Sequence, residues 1–147
     1  CVCTPYHIQR YRSRLSGPLL DRLDIHIEVP AVPVKELSGR ITGEASSAIR
    51  QRVIQARHLQ IDRYRAEQTL NNAQLKPRLL KKYCQLDQAG NTLLDQAVTR
   101  LGLSARAYGR ILRVARTIAD LGESVMISST HVAEAIQYRT LDRPILT

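Results

Sequence analysis

The chain has 147 residues, which is enough for one domain with its own core, or for a small domain that carries part of another. Lys and Arg outnumber Asp and Glu by 22 to 13, and this formal charge of +9 favours a polyanionic partner: nucleic acid, nucleotide phosphate or an acidic protein surface. No apolar run reaches the roughly 18 residues that cross a bilayer, no secretion signal begins the chain, and three cysteines are too few for a disulfide framework. We therefore expect a cytoplasmic protein with no membrane partner.

The first segment reads as a helix followed by a tight turn. Thr4-Pro5 is a capping residue followed by a proline at the first helical position, which predicts a helix start. Ser16-Gly17-Pro18 ends this helix and begins a short turn. Arg22 then lies where the turn leads into an extended segment, a position that presents a charged side chain outward.

Residues 23–29 alternate strictly between apolar and polar side chains. The apolar set is Leu23, Ile25, Ile27 and Val29, and the polar set is Asp24, His26 and Glu28. This period predicts one half-buried strand. A single strand cannot satisfy its own backbone groups, and no second segment has comparable strand character, so we expect its partners to lie outside this sequence.

The rest of the chain has helical periodicity. Residues 35–45 contain glycines and read as a linker, so we expect a domain boundary near residue 40. The core has to be built mostly from aliphatic side chains, because the aromatic residues are six Tyr with no Phe or Trp. Start and stop residues predict helices from Ser46 or Ser47 to about Glu67, from Pro77 to about Tyr83, from about Gly90 to Leu101, from Ser104 to about Leu121, and from Ser128 or Ser129 to Arg139. We therefore predict an all-helical bundle of about four to five helices.

The helix that follows Ser104 has two distinct sides. At about 100° per residue its apolar residues cluster on one side, which must face the core. The opposite side carries Arg106, Arg110 and Arg113, with Arg116 at its margin. This stripe is either a solvated face or a face that contacts phosphate. Arg106 lies in the first turn, at the positive end of the helix dipole, where a bound anion would be favourable.

One stretch near the start of the sequence and two around the Ser104 helix carry a family resemblance. Residues 10–25, together with Leu103–Tyr108 and Ala115–Leu121, resemble the ComM/YifB family of magnesium-chelatase-like AAA+ ATPases, and the resemblance covers essentially the whole chain. It implies the C-terminal part of such a protein, mainly α: a helical lid bundle preceded by a truncated tail of the α/β ATPase core with one strand. The implied domains are residues 1–34 (core remnant), 35–45 (linker), 46–141 (lid) and 142–147 (tail).

The resemblance also implies roles for individual residues. Arg22 matches the arginine finger, which reaches in trans to the nucleotide of a neighbouring subunit, and Arg106 matches the second sensor arginine of the lid. The implied partners are the N-terminal remainder of the same protein, the neighbouring subunits of a ring, most simply a hexamer, and DNA during recombination in natural transformation. The implied cofactors are ATP and Mg²⁺. Because this sequence has no phosphate loop and no magnesium-binding acidic strand, we expect no ATP hydrolysis and no bound cofactor from this part alone.

The cysteines divide into two groups. Cys1 and Cys3 resemble half of a four-cysteine zinc site, which two ligands at a chain end leave incomplete. Cys84 lies among apolar residues and is expected to be a buried, unreactive thiol.

Other interpretations remain open from the residues alone. Arg22 could form a surface ion pair with Asp21 or Asp24, and Arg106 could be a solvated arginine at a helix start. The whole chain could be a stand-alone basic helical module that binds nucleic acid through Arg110, Arg113 and Arg116. It could also be a helical oligomerisation or adaptor bundle.

Overall fold

The structure is a computed structural model that describes residues 2–27, 29–32 and 43–139. These residues form seven α-helices and one 3₁₀ turn, and the predicted mainly α fold is confirmed. The helices are α1 Pro5–Arg12, α2 Gly17–Leu20, α3 Ser46–Arg63, α4 Pro77–Tyr83, α5 Gln88–Leu101, α6 Ala105–Leu121 and α7 Ser129–Gln137, and the 3₁₀ turn Asn72–Gln74 lies between α3 and α4.

Side-chain caps set where several helices begin. The Thr4 hydroxyl accepts a hydrogen bond from the His7 backbone at the start of α1, and the Ser104 hydroxyl accepts one from Ala107 N–H at 3.2 Å at the start of α6. Asp87 caps α5 by accepting from Gly90 N–H at 2.6 Å. Each cap satisfies a backbone donor that the first helical turn leaves without a partner.

Helix α6 is the centre of the bundle. It packs against α3, α4, the 3₁₀ turn and α7, while α5 packs against α7. The predicted apolar side of α6 is the buried side, with Ile111, Ala115 and Ala119 each at most 1% exposed. The core around it is mostly aliphatic, as the composition predicts, and Tyr64 is the aromatic member of the described buried cluster. The other buried members outside α6 are Leu75, Leu80, Cys84, Leu94, Ile127, Val132 and Ala135.

Helix α3 differs from its prediction in two respects. It ends at Arg63 rather than near Glu67, and Tyr64 follows as its C-terminal cap. Helical spacing also predicts that Val53 shares an apolar stripe with Ala56 and Gln60, but only Ala56 and Gln60 are buried among the residues of α3, and Val53 is 45% exposed. The first half of α3 therefore projects from the core instead of packing along it.

The described part of residues 23–29 forms no strand within this chain, and the strand paired with partners outside this sequence stays a prediction. In residues 23–27 and 29 the backbone forms one isolated parallel bridge, between His26 and Arg139, and no sheet. The faces are also reversed: His26 is 5% exposed, whereas Ile25 and Ile27 are 48% and 73% exposed. The physical reason is that a strand forms only beside another strand, and here the neighbour is the end of α7.

Several predictions fall on other residues. Cys1, Glu28, residues 33–34, residues 35–42 of the predicted linker (35–45), and residues 140–147, which include the predicted tail (142–147), lie outside the described residues. Among the helices that are described, none has the length and apolar character needed to cross a membrane.

Candidate phosphate-contacting arginines

Arg22 lies on a tight turn that directly continues α2. Its backbone N–H donates to Leu19 O at 3.0 Å, and Leu23 N–H donates to Leu20 O at 3.1 Å. The side chain of Arg22 is exposed, and within the described ranges no ion pair joins it to Asp21 or Asp24. The turn thus presents a guanidinium group outward from a hydrogen-bonded backbone.

Arg139 holds this turn from the other end of the chain. It follows α7, is 1% exposed, and donates through Nη1 to Leu23 O at 2.7 Å and through Nη2 to Leu20 O at 3.4 Å. These two carbonyls lie on either side of Arg22 in the sequence. Sequence reasoning treated Arg139 only as the end of the last helix, because nothing local indicates contacts with residues 116 and 119 positions earlier.

Two further contacts attach the same segment to the bundle. Arg110 of α6 forms an ion pair with the Asp24 carboxylate, and His26 N–H donates to Tyr138 O at 2.6 Å. Arg110, predicted as a phosphate contact, is therefore already paired with a carboxylate of the Arg22 segment. The side chains of Arg110 and Asp24 remain 27% and 48% exposed, so this ion pair lies at the surface.

Arg106 lies where the sequence placed it, exposed in the first turn of α6. It lines a cleft of about 480 Å³ between α4 and α6. Lys81, Arg110 and Arg113 also line the cleft, and its apolar wall includes Leu80. An open, cationic cleft beside a helix N-terminus suits a phosphate group.

The arginine stripe does not continue to Arg116, and this part of the prediction is wrong. Arg116 is 2% exposed, and each of its three nitrogens donates within the chain: Nε to Asp120 at 3.1 Å, Nη1 to Val125 O at 2.9 Å and Nη2 to Ser124 O at 2.6 Å. Its marginal position on the helix wheel places it at the border of the core. A DNA contact by Arg116 is not compatible with this burial.

The burial of Arg113 is intermediate between that of exposed Arg106 and that of buried Arg116. Arg113 is half-buried on α6, and its Nη2 donates to the carbonyl of Leu75 at 2.6 Å, which ties α6 to the segment just before α4. Of the four predicted phosphate-contacting arginines of α6, Arg106 alone is exposed in the described structure, because Arg110, Arg113 and Arg116 are each at least partly buried and bonded within the chain.

A buried polar cluster lies behind Arg116 and was not predicted. Asp120 is 1% exposed, and its Oδ2 accepts from Arg63 Nη1 at 3.0 Å and from Asn72 Nδ2 at 2.8 Å. The Tyr64 hydroxyl in turn donates to Asn72 Oδ1 at 2.6 Å. Burial opposes the charge on Arg63, but its hydrogen bonds with Asp120 and Tyr64 outweigh this cost and raise its pKa. Burial lowers the pKa of Arg116, against the attraction of Asp120.

The described residues contain no group of three or more His, Cys, Asp or Glu side chains that could hold a metal ion. Cys3 is exposed, and Cys1 is outside the described ranges, so the zinc site of the intact protein stays a prediction. Cys84 is buried as expected, and burial raises the pKa of its thiol to about 11.

Comparisons with known proteins match the full described structure. The family model described as magnesium chelatase, subunit ChlI C-terminal, matches residues 43–139, and the model described as magnesium chelatase, subunit ChlI, matches residues 1–37. The protein YifB of Salmonella typhimurium is 43% identical over 98% of the chain, and the competence protein ComM of Haemophilus influenzae is 42% identical over 95% of it. The chain spans a little over a quarter of these relatives, 28% and 27% of their lengths.

Proposed function

The chain belongs to the family of the magnesium chelatase subunit ChlI, and from this premise we propose that it supplies two arginines to the nucleotide sites of a ComM/YifB-like AAA+ ATPase. Arg22 acts in trans as the arginine finger of a neighbouring subunit's site. Arg106 acts in cis as the second sensor. The observation that carries the proposal is the exposed guanidinium of Arg22 on a turn whose flanking carbonyls are fixed by hydrogen bonds.

The chemistry of arginine supports both roles. A guanidinium is planar, permanently charged and able to donate two parallel hydrogen bonds to a phosphate. At the transferring phosphoryl group it stabilises charge that develops in the transition state. Arg106 also lies at a helix N-terminus, where a cation is unfavourable by about 0.3–1 kcal/mol until an anion is bound.

The remaining parts of the ATP site come from the rest of the protein. This sequence lacks the Gly-x-x-x-x-Gly-Lys-Ser/Thr phosphate loop, and its described carboxylates form no metal-binding group. ATP and Mg²⁺ are therefore proposed as cofactors of the full-length protein, held largely by residues outside this chain. The ring, taken as a hexamer, is proposed on the same basis, because a finger that acts in trans requires a neighbouring subunit.

DNA is the proposed substrate of the motor. One relative is named a competence protein, and the formal charge of +9 is appropriate for a nucleic-acid partner. We propose that ATP hydrolysis moves the ring on DNA during recombination of incoming strands, and that the lid turns against the core as nucleotide binds and leaves.

Arg22→Ala in the full-length protein tests the finger. We expect ATP hydrolysis to fall by about 10³-fold, with ATP binding and ring assembly retained. Arg106→Ala should weaken ATP binding in addition to slowing hydrolysis. The matched control is Arg100→Ala, an exposed arginine at the end of α5, which should leave both properties unchanged. Normal turnover by an assembled Arg22→Ala ring would exclude the finger.

A further inference from the structure

We propose that Arg139 is a positioning residue that fixes the direction of Arg22. The inference rests on the proposed function, because positioning matters only if Arg22 contacts a neighbouring nucleotide. It goes beyond that function by assigning to the last helix of the bundle a part in phosphoryl transfer at another subunit's site.

The geometry of Arg139 is specific to this task. Its two terminal nitrogens reach the carbonyls of Leu20 and Leu23, which enclose Arg22 in the sequence. Burying a guanidinium at 1% exposure is costly unless its donors are satisfied. Here two of the donors bond to the backbone carbonyls on either side of Arg22, so a shift of the turn would break both hydrogen bonds. A lysine ammonium is a single point donor and lacks the fork that spans both carbonyls.

Two neighbouring contacts also hold the Arg22 segment against the bundle. The Arg110–Asp24 ion pair attaches the chain two residues after Arg22, and the His26–Tyr138 backbone bond attaches it two residues later. The attachment points on the bundle belong to α6 and to the end of α7, which pack against each other. Arg22 is therefore carried by the same body that carries Arg106.

This arrangement links two nucleotide sites. When the bundle turns against the rest of the ATPase core in response to the nucleotide beside Arg106, these contacts carry with it the turn that bears Arg22. The position of Arg22 at the neighbouring subunit's site thus depends on which nucleotide is bound beside Arg106 in its own subunit. Arg139 is the residue through which that displacement reaches the finger backbone.

Arg139→Gln in the full-length protein is the first test. We expect kcat for ATP hydrolysis to fall about 10- to 100-fold, the size expected for a misplacement of about 1 Å, with little change in KM. Asp24→Asn removes the surface attachment without burying a charge and should lower kcat by a smaller factor, about 2- to 5-fold. Arg100→Gln is the matched arginine control.

The decisive readout is the combination with Arg22→Ala, with slow hydrolysis measured by single-turnover assays with labelled ATP. If Arg139 acts through Arg22, the Arg139→Gln and Asp24→Asn losses disappear in the Arg22→Ala background. Equal losses in both backgrounds overturn the inference and leave the proposed function standing. An Arg22→Ala variant with normal kcat instead overturns the proposed function itself.

A folding defect does not remove the test. If Arg139→Gln fails to fold, Arg139→Lys keeps the charge but loses the fork, and it is compared together with Asp24→Asn. A loss of kcat in these two variants that requires Arg22 supports the inference. Unchanged kcat in both folded variants contradicts it.

Discussion

Asp120 is the residue on which the buried polar contacts of the bundle converge. Its carboxylate accepts hydrogen bonds from Arg63, Asn72 and Arg116, which belong to α3, the 3₁₀ turn and α6. Through Arg116 the cluster also fixes the backbone of residues 124–125, just before α7. A carboxylate without exposed area is stable here because two guanidinium groups balance its charge.

Asp120→Asn should be strongly destabilising. It leaves Arg116, whose side chain is 3% exposed, without its counter-charge, and this should lower the free energy of unfolding by about 3 kcal/mol. Urea unfolding of the 147-residue chain, followed by circular dichroism, measures the change. Asp95→Asn, an exposed aspartate on α5, is the matched control and should change stability by less than about 0.5 kcal/mol. Similar curves for the two variants would contradict the role of the cluster.

Cys84 and Cys3 should differ in reactivity. The Cys84 thiol is buried, with a pKa raised to about 11, whereas Cys3 is exposed. Alkylation by iodoacetamide at pH 8, with peptide mass mapping, should modify Cys3 in minutes and Cys84 only after unfolding. Rapid labelling of Cys84 in the folded chain would show that its surroundings open to solvent.

The same thiol gives a pH dependence of stability. Because the folded pKa of Cys84 lies near 11 and the ordinary value is 9.0, the unfolded chain loses this proton first as pH rises. The contribution of the Cys84 thiol to stability is intact below pH 9 and is lost between pH 9 and 11, with an upper limit of about 3 kcal/mol. Urea unfolding of the wild type and Cys84→Ala across this range measures it, and equal slopes with pH would contradict it.

At the scale of the helix, stop signals explain why many boundaries were predicted closely. Gly102 ends α5 with a φ of +61°, the left-handed conformation that glycine adopts without strain. Gly122 ends α6 with a φ of −90°, which other residues also adopt. Both glycines predict a helix end from the sequence. The backbone conformation requires glycine at Gly102 but not at Gly122.

Gly102→Ala should therefore cost more than Gly122→Ala. A Cβ in the left-handed region costs about 1 kcal/mol, while an ideal Cβ at Gly122 meets only ordinary contacts, the nearest at 3.6 Å from Ile118 O. Thermal unfolding of the two variants side by side makes the comparison. A larger loss for Gly122→Ala would contradict this account of the two caps.

The elements that depend on distant residues were the ones that the sequence missed. Caps, prolines and glycines act within a few residues, so α4, α5 and α6 begin and end close to their predicted positions. The described residues 23–27 form only an isolated bridge, because the strands predicted to pair with them lie outside this sequence. Arg22 and Arg106 were identified through a family resemblance, whereas Arg139 escaped because its contacts join residues 116 and 119 positions apart. The spacing of four residues between Arg116 and Asp120, close to the apolar side of α6, was the one local signal of the buried cluster.

At the scale of the whole molecule, the charge of +9 is not evenly available to a polyanion. Arg63 and Arg116 neutralise Asp120 in the interior, Arg110 pairs with Asp24, and Arg139 is buried. A nucleic-acid interface built on Arg110, Arg113 and Arg116 as a single row is therefore not supported by their positions. Exposed arginines such as Arg106 remain available to phosphate.

Titration of the chain with duplex DNA at several salt concentrations distinguishes exposed arginines, such as Arg106, from buried ones, such as Arg116. Arg106→Ala should reduce the slope of log K against log salt by about 1, because one exposed phosphate contact is lost. Arg116→Ala should leave that slope unchanged and instead lower the unfolding temperature, because it breaks the buried pair with Asp120. A reduced slope for Arg116→Ala without loss of stability would favour the stand-alone DNA-binding module.

The reversed faces of residues 23–27 have a mechanical consequence. His26 is buried against the end of α7, while Ile25 and Ile27 are exposed. This segment can therefore contact the bundle through His26 and another part of the protein through its isoleucines. The rest of the protein can pack against Ile25 and Ile27 without breaking the contact between His26 and the end of α7. A displacement of either contact would then be transmitted to the other through the backbone of adjacent residues.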